Sequence, residues 1–529
     1  MRCVTSQEMR ERDRRAIEGG TPGWTLMRRA AFAVARAACR LANLAGIRDI
    51  VVLAGRGNNG GDGCVAARLL RDAGFRARLW LAARPESLAG DARTAFDFLD
   101  AGAERGPSAP VPVRILPEAE DWEALEAFDL PCAKPLVIDA LLGTGAHGAL
   151  REPIDAAVRF LERVRRQCNV LAIDLPTGVD ADTGEVLPHH VVADWTVTLA
   201  APKIGMTHPA ALAALGHVDV ADIGLGTADA PGPQDETIPG ILVPAEHGNP
   251  ESIRRREAHK GDFGHVLIAG GSIGFGGAPA LAALGALRSG AGLVSAIVPM
   301  GAEGALAAWA PEAMAHPLPS PNGWLAPAAL LAWGRNPAEF DVLVAGPGLR
   351  KTADTADLVR MWLADESIRR ILLDADALNV LEGALADEGC APLSADPGRL
   401  VLTPHPGEAA RLLGVPAAEV QMNRVEAVRT LARRANAAVV LKGAGSLVCI
   451  PNGTPLLNLT GNPGMATGGS GDVLAGVIAA HWAAGADALD AAALGVALHG
   501  TAGDEAACRK GQRALLARDI AEALGGSGR

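Results

Sequence analysis

Short runs of Val, Ile and Leu alternate with Ala-rich segments of helical length along most of this 529-residue chain. A strand buried on both faces reads as a brief continuous apolar run. A parallel neighbour is reached only through a crossover long enough to hold a helix. The rhythm therefore predicts an α/β architecture with parallel sheets. Strands are predicted over 49–54, 77–82, 136–139, 170–174 and 195–200 in the first half. A second series follows over 265–269, 293–298, 342–345, 371–374, 400–403 and 438–442. Between them, "GTADAPGPQDETIPG" (226–240) carries Gly, Pro and acids without an apolar period and reads as a linker. The expected organisation is one domain over 1–227, a linker over 228–240 and a second domain over 241–529. The chain is too long for one ordinary core.

Composition narrows the function classes. A formal net charge of −11 argues against a nucleic-acid footprint. The eight cysteines are scattered without a Cys-x-x-Cys pair, which disfavours zinc and dithiol chemistry and fits a reducing compartment. The N-terminus is charged and has no apolar signal core, and no stretch reaches the length of a membrane span. The expectation is a cytoplasmic protein, free of membrane and nucleic acid, that forms a homo-oligomer.

In open parallel sheets ligands bind beyond the carboxyl ends of the strands. After the first predicted strand comes "GRGNNGGDG" (55–63), which opens a helix. Glycine at such a turn leaves backbone N–H groups bare for an anion. Asp139 ends the next strand of this set, ahead of "LLGTGAHG". Asp174 ends another, ahead of "LPTGVDADTG" with Thr177 in the turn. Lys203 follows the strand that leads into "AAPKIG". Each residue has a plainer reading: Asp62 as a helix N-cap, Asp139 or Asp174 as a turn cap, Lys203 as a surface lysine. Their arrival from four segments at one sheet edge favours a shared site.

"GRGNNGGDG", "GTG" and "DLPTGVDADTG" followed by "APKIG" resemble the NAD(P)HX epimerase family over residues 1–225. The resemblance implies a Rossmann-like fold and a hydrated nicotinamide dinucleotide as substrate, interconverted between R and S at the hydrated ring carbon. It implies that Asn58, Asn59, Gly60, Gly61 and Asp62 hold the dinucleotide together with Gly143, Thr144, Gly145, Ala146, His147, Gly148 and Ala149. Asn59, Asp139 and Thr177 would ligate K+, a hard cation suited to oxygen donors. Asp174 and Lys203 would be the acid–base pair; Thr177 stands where the family often has Ser.

The second half repeats the logic with other residues. "GHVLIAGGSIGFGGAPALAALGAL" (264–287) reads as strand, glycine turn and helix. "LVAGPGL", "LLDADALN", "LTPHPGE" and "VVLKGAGS" place glycines, acids, His405, Lys442 and Ser446 after later strands. In "NPGMATGGSGDVLAG" (462–476) bare amides open an apolar helix with Asp472 in its first turn. Amides and helix dipole there stabilise a transferring phosphoryl group, and a carboxylate can take a proton from an attacking hydroxyl. The plainer readings are a loop with Asp472 as its cap, a structural His405, and "DADALN" as a helix cap.

The GGSGD turn resembles the ribokinase-like superfamily. "TPHPGE", "LKGAGS" and "NPGMATGGSGDVLAG" resemble more narrowly its ADP-dependent NAD(P)HX dehydratase branch, over residues 240–525. That implies a ribokinase-like α/β domain in which Ala278, Gly348, His405 and Asp472 contact the hydrate. Lys442, Gly443, Ala444, Gly445, Ser446 and Gly471 would hold ADP, with Mg2+ screening its phosphates and Asp472 as the base. The combined reading is a bifunctional repair enzyme acting on NADHX and NADPHX. Its rivals are a vitamin-precursor kinase fused to a non-catalytic dinucleotide-binding module, and a dinucleotide sensor. Trp309, Trp324 and Trp333 read as core or interface residues, and His189-His190 as no metal pair, because neighbours on a strand point opposite ways.

Overall fold

The computed structural model describes residues 1–99, 109–145, 148–225, 240–242 and 256–525. The chain divides into two compact units, Met1–Ile241 and Leu242–Arg529. The first is built on β1 (Asp49–Ala54), β2 (Arg76–Leu81), β3 (Val113–Ile115), β4 (Leu136–Ala140), β5 (Asn169–Ile173), β6 (Trp195–Leu199) and β7 (His217–Ala221). They form one sheet in the order β3-β2-β1-β4-β5-β6-β7, with every pairing parallel. The order reverses between β1 and β4, the switch point at which such sheets open a crevice for a ligand. β1 and β4 are buried at every position, which is why they read as uninterrupted apolar runs.

The second sheet contains β8 (Gly240–Ile241), β9 (His265–Ala269), β10 (Leu293–Pro299), β11 (Met314–Leu318), β12 (Val342–Ala345), β13 (Ile371–Leu373), β14 (Leu400–Leu402), β15 (Ala438–Leu441), β16 (Leu447–Cys449) and β17 (Leu456–Leu457). Its order is β11-β10-β9-β12-β13-β14-β15-β16-β17-β8. From β11 to β15 the pairings are parallel; β16 and β17 turn antiparallel. That antiparallel edge departs from the all-parallel expectation, because "KGAGS" makes a tight reversal instead of a crossover.

Helices cover the sheets with small side chains. In the second unit the helix Ser470–Ala483 crosses the helix Gly277–Arg288 almost backbone on backbone. A Cβ on Gly476 would lie 1.9 Å from the Ala282 carbonyl oxygen, and one on Gly285 would lie 2.4 Å from that of Val473. Only glycine permits that approach. Among the described residues no helix is long and apolar enough to cross a membrane.

Candidate functional sites

In the first unit "GRGNNGGDG" bends from β1 directly into the helix Asn58–Asp72, whose N-cap is Gly57. Gly60 is needed for close approach, since a Cβ there would sit 1.9 Å from the Gly55 carbonyl oxygen. Asn58 is exposed at the helix head. Asn59 donates from Nδ2 to the Leu142 carbonyl at 2.8 Å, a bond that does not use Oδ1. Asp62 is not a cap. It is buried inside the first turns, and burial together with Asp174 and Asp13 holds its carboxyl well above the usual range.

Asp139 and Thr177 are joined. Thr177 donates to the Asp139 carboxylate from its backbone N–H and its Oγ1, each at 2.8 Å, and the Leu141 N–H adds a third bond at 3.1 Å. Thr177 Oγ1 also accepts from the Leu142 N–H at 3.2 Å, bringing in the strand end that Asn59 grips. Asp139 is fully buried, and among the described residues no basic side chain pairs with it. Burial pushes it up to about 6 against the pull of the Thr177 and Leu141 bonds. A lone buried carboxylate with amide and hydroxyl oxygens around it fits a monovalent cation. No cluster of three acidic, His or Cys ligands, as a divalent ion would favour, occurs among the described residues.

Asp174 and Lys203 form the adjacent part of the same edge. Both are buried, Lys203 completely, and the ammonium donates to Asp174 Oδ1. It also donates to Thr198 Oγ1 at 2.9 Å and the Leu199 carbonyl at 3.0 Å. Three donors meet three acceptors, so the lysine is saturated. Asp174 Oδ1 further accepts from the Leu199 N–H at 3.1 Å, whereas among the described residues Oδ2 accepts only from the Thr144 N–H, at 3.4 Å. The less-bonded oxygen therefore faces the Gly143–Gly145 turn. Asp174 holds a left-handed backbone, φ 69°, a costly conformation for a non-glycine residue and one that gathers at functional sites. In that turn Gly143 lies against Asn59 and Gly145 borders open space; Gly148 and Ala149 are exposed. Ala146 and His147 lie outside the described residues.

Sequence reasoning missed Asp13. It sits on the helix Ser6–Glu18, whose leading segment pairs with Lys203 through Val4. Burial and the Asp174 charge raise its carboxyl while Lys203 opposes them. Nothing in "MRERDRR" separates it from the charged residues around it.

In the second unit the loops after β9, β12, β13, β14 and β15 stand side by side. Asp374 at the end of β13 accepts from Thr403 Oγ1 at 2.8 Å and from Lys442 Nζ at 2.7 Å, tying three strand ends together. Lys442 also lies 3.8 Å from Glu408. Gly471 is close by: a Cβ there would be 3.3 Å from Lys442 Nζ. Asp472 is not the cap of the Ser470–Ala483 helix; that is Gly469, left-handed at φ 90°. Burial first, then Asp374, pushes Asp472 up to about 8 against Lys442, with Asp376 and Glu408 adding to the rise. Glu408 is pushed up to about 7, mainly by burial.

His405 does cap a helix. Its Nδ1 accepts from the Gly407 and Glu408 N–H groups at 3.0 and 3.3 Å, which leaves Nε2 to carry the proton. Burial, Lys442 and Arg411 lower its pKa. Ala278 and Gly348 meet each other, since a Cβ on Gly348 would be 3.3 Å from that of Ala278. They stand one loop from Asp374. Gly443, Ala444, Gly445 and Ser446 form the reversal after Lys442, with Ser446 Oγ donating to the Gly443 carbonyl at 3.1 Å. Arg424 shapes this turn by donating to the carbonyls of Leu441, Lys442 and Gly445. Its distance in sequence hid it. Asp374 and Glu408 were visible as motif letters but not as lysine partners.

Two family models match the chain: "YjeF-related protein N-terminus" over residues 24–205 and "NAD(P)H-hydrate dehydratase" over residues 266–525. The bifunctional NAD(P)H-hydrate repair enzyme Nnr of Moorella thermoacetica is 41% identical, covering 99% of this chain and 96% of that one. The Escherichia coli protein of the same name is 34% identical, over 94% of this chain and 87% of its own. Among solved structures, the ADP/ATP-dependent NAD(P)H-hydrate dehydratase of Bacillus subtilis, co-crystallised with ATP and Mg2+, is 29% identical. It covers 55% of this chain and 97% of its own length, with a TM-score of 0.46.

Proposed function

The chain belongs to the family of bifunctional NAD(P)H-hydrate repair enzymes, an epimerase joined to an ADP-dependent dehydratase, and we propose from that premise how its residues share the work. The full-length relatives do not favour a vitamin-precursor kinase. Carrying the assignment is a feature repeated in each unit: a carboxylate, Asp174 or Asp472, held near a lysine at the carboxyl edge of a sheet.

In the first unit the helix head at Asn58–Asp62 and the 143–149 turn would hold the dinucleotide. Inverting the hydrated ring carbon requires one of its bonds to break and re-form, with a proton removed from its hydroxyl and returned. Asp174 Oδ2, the less-bonded oxygen, would carry that proton. Lys203, already saturated, would hold Asp174 fixed. K+ would be held by Asn59, Asp139 and Thr177, and bound there it supplies positive charge beside carboxylates and phosphates.

In the second unit Ala278, Gly348 and His405 would position the S hydrate. The 442–446 turn and the amide of Gly471 would hold ADP. Asp472 would remove the ring hydroxyl's proton as the hydroxyl oxygen bonds to the terminal phosphorus of ADP, with AMP leaving. Loss of that phosphate with a ring proton then restores the reduced nicotinamide. Mg2+ would come with the phosphates, keeping waters and using at most one or two carboxylates such as Asp374. We further read the protein as a cytoplasmic homo-oligomer that takes both NADHX and NADPHX. The test is purified chain with mixed R and S NADHX, ADP, Mg2+ and K+. Full recovery of the reduced-nicotinamide absorbance supports both halves; recovery of the S fraction alone removes the epimerase assignment, and none removes the dehydratase assignment.

A further inference from the structure

Arg350 follows Gly348 by two residues in the loop after β12, and its backbone is left-handed at φ 70°. A long side chain in that conformation is strained, and glycine would hold it freely. The loop is fixed from both sides. The Arg350 N–H donates to Asp376 Oδ2 at 2.8 Å, and Ser272 Oγ donates to the Gly348 carbonyl at 2.9 Å. The strained backbone is therefore held in place, with the side chain on the rim of the site that contains Asp374 and Asp472.

The guanidinium lies over two rings, 5.7 Å from the centroid of Phe275 and 6.0 Å from that of Trp324. Trp324 is itself anchored, its Nε1 donating to Asp354 at 2.9 Å. The chain has only nine Phe, nine Trp and no Tyr, and two of these rings carry one surface arginine. Trp324 is partly exposed, with one face under the Arg350 guanidinium. Phe275 is 55% exposed, and its carbonyl would be 2.8 Å from a Cβ on Gly348. Among the described residues no carboxylate pairs with the Arg350 guanidinium. Its planar fork matches a phosphate, and stacking removes part of the entropy of holding it ready.

We propose that Arg350, stacked on Phe275 and Trp324, is a phosphate-binding subsite for the dinucleotide substrate of the second unit, with the outer face of Phe275 taking one of its rings. This rests on the assignment of Ala278 and Gly348 to the hydrate. The phosphate is either the bridging diphosphate, present in both NADHX and NADPHX, or the 2′-phosphate, present only in NADPHX.

The test uses the full chain and Arg350→Gly, which relieves the backbone and leaves the fold intact, with saturating Mg-ADP and each S hydrate in turn. The expected result is a KM about 10-fold higher, with kcat and the KM for ADP unchanged and no drop in Tm. A rise for both substrates identifies the bridging diphosphate; a rise for NADPHX alone identifies the 2′-phosphate. KM values within twofold of wild type for both overturn the proposal. Ala278→Phe run alongside separates the premise: if it too leaves KM unchanged, the hydrate does not lie there, whereas a raised KM in Ala278→Phe with none in Arg350→Gly rejects the subsite alone.

Discussion

Lys203, fully buried, donates to the same Asp174 oxygen that the Leu199 N–H engages, leaving the other oxygen with one long contact. One residue is thereby divided into an anchored oxygen and a sparsely bonded one. Asp174→Asn should keep the shape and lower epimerisation by about 10²–10⁴-fold, measured by chromatographic resolution of R and S hydrates. Lys203→Met should in addition lower stability by about 3–5 kcal/mol, because it strands a buried carboxylate. A wild-type epimerisation rate in folded Asp174→Asn would exclude the proton-carrier role.

Asp472 gives the dehydratase a pH signature. Burial and the neighbouring Asp374 hold it at about 8, and a base must be unprotonated to act. Log kcat/KM for dehydration should climb with unit slope through neutrality and level off above about 8. Lys442 opposes the rise, so Lys442→Met should move the profile further alkaline. Asp472→Ala should abolish dehydration while epimerisation persists; simultaneous loss of both in a folded variant would contradict two independent sites.

Asp139 predicts a pH-dependent response to K+. Its folded pKa, about 6, is above the ordinary value. Stability from keeping it protonated is fully present below the ordinary carboxylate pKa and is lost as pH rises through 6. A cation offsets that loss only where the group is charged. K+ should therefore raise Tm at pH 7.5 and have little effect at pH 5, by differential scanning fluorimetry against a larger organic cation. Asp139→Asn should remove the response. An equal K+ shift at both pH values would place the ion elsewhere.

Gly476 tests the helix crossing in the second unit. Alanine there drives a methyl into the Ala282 carbonyl and should cost about 1–3 kcal/mol in chemical denaturation. Gly304→Ala, which meets nothing within 4 Å, is the control and should be neutral or slightly stabilising. Equal midpoints for the two would show that the helices can part without cost.

Legibility followed burial. β1, β9 and β12 match their predicted ranges to the residue, because each is a short apolar run, led by at most one polar residue and buried along nearly all its length. β3 is exposed at all three positions, and β7 alternates polar and apolar residues as "HVDVA", so neither announced itself. The antiparallel β16 and β17 are too short to leave a period. For the site, Asp139, Asp174 and Lys203 could be picked out because a parallel sheet puts the loops after its strands on one edge, and Asp472 because a glycine turn opens its helix. Asp13 and Arg424 were not, since each arrives on a helix whose contribution depends on tertiary docking. The capping alternatives for Asp62 and Asp472 failed for a local reason: glycine takes the cap in both helices.

The direct contact between the Ser470–Ala483 and Gly277–Arg288 helices sets a gauge. Where Gly476 and Gly285 bring backbone against backbone there is no side chain to compress, which limits how far the amides heading one helix can shift from Ala278 at the head of the other. A molecule bridging those two points meets a rigid calliper. Any drift in which phosphate donor the protein accepts would then have to arise in the 442–446 reversal and its Arg424 brace.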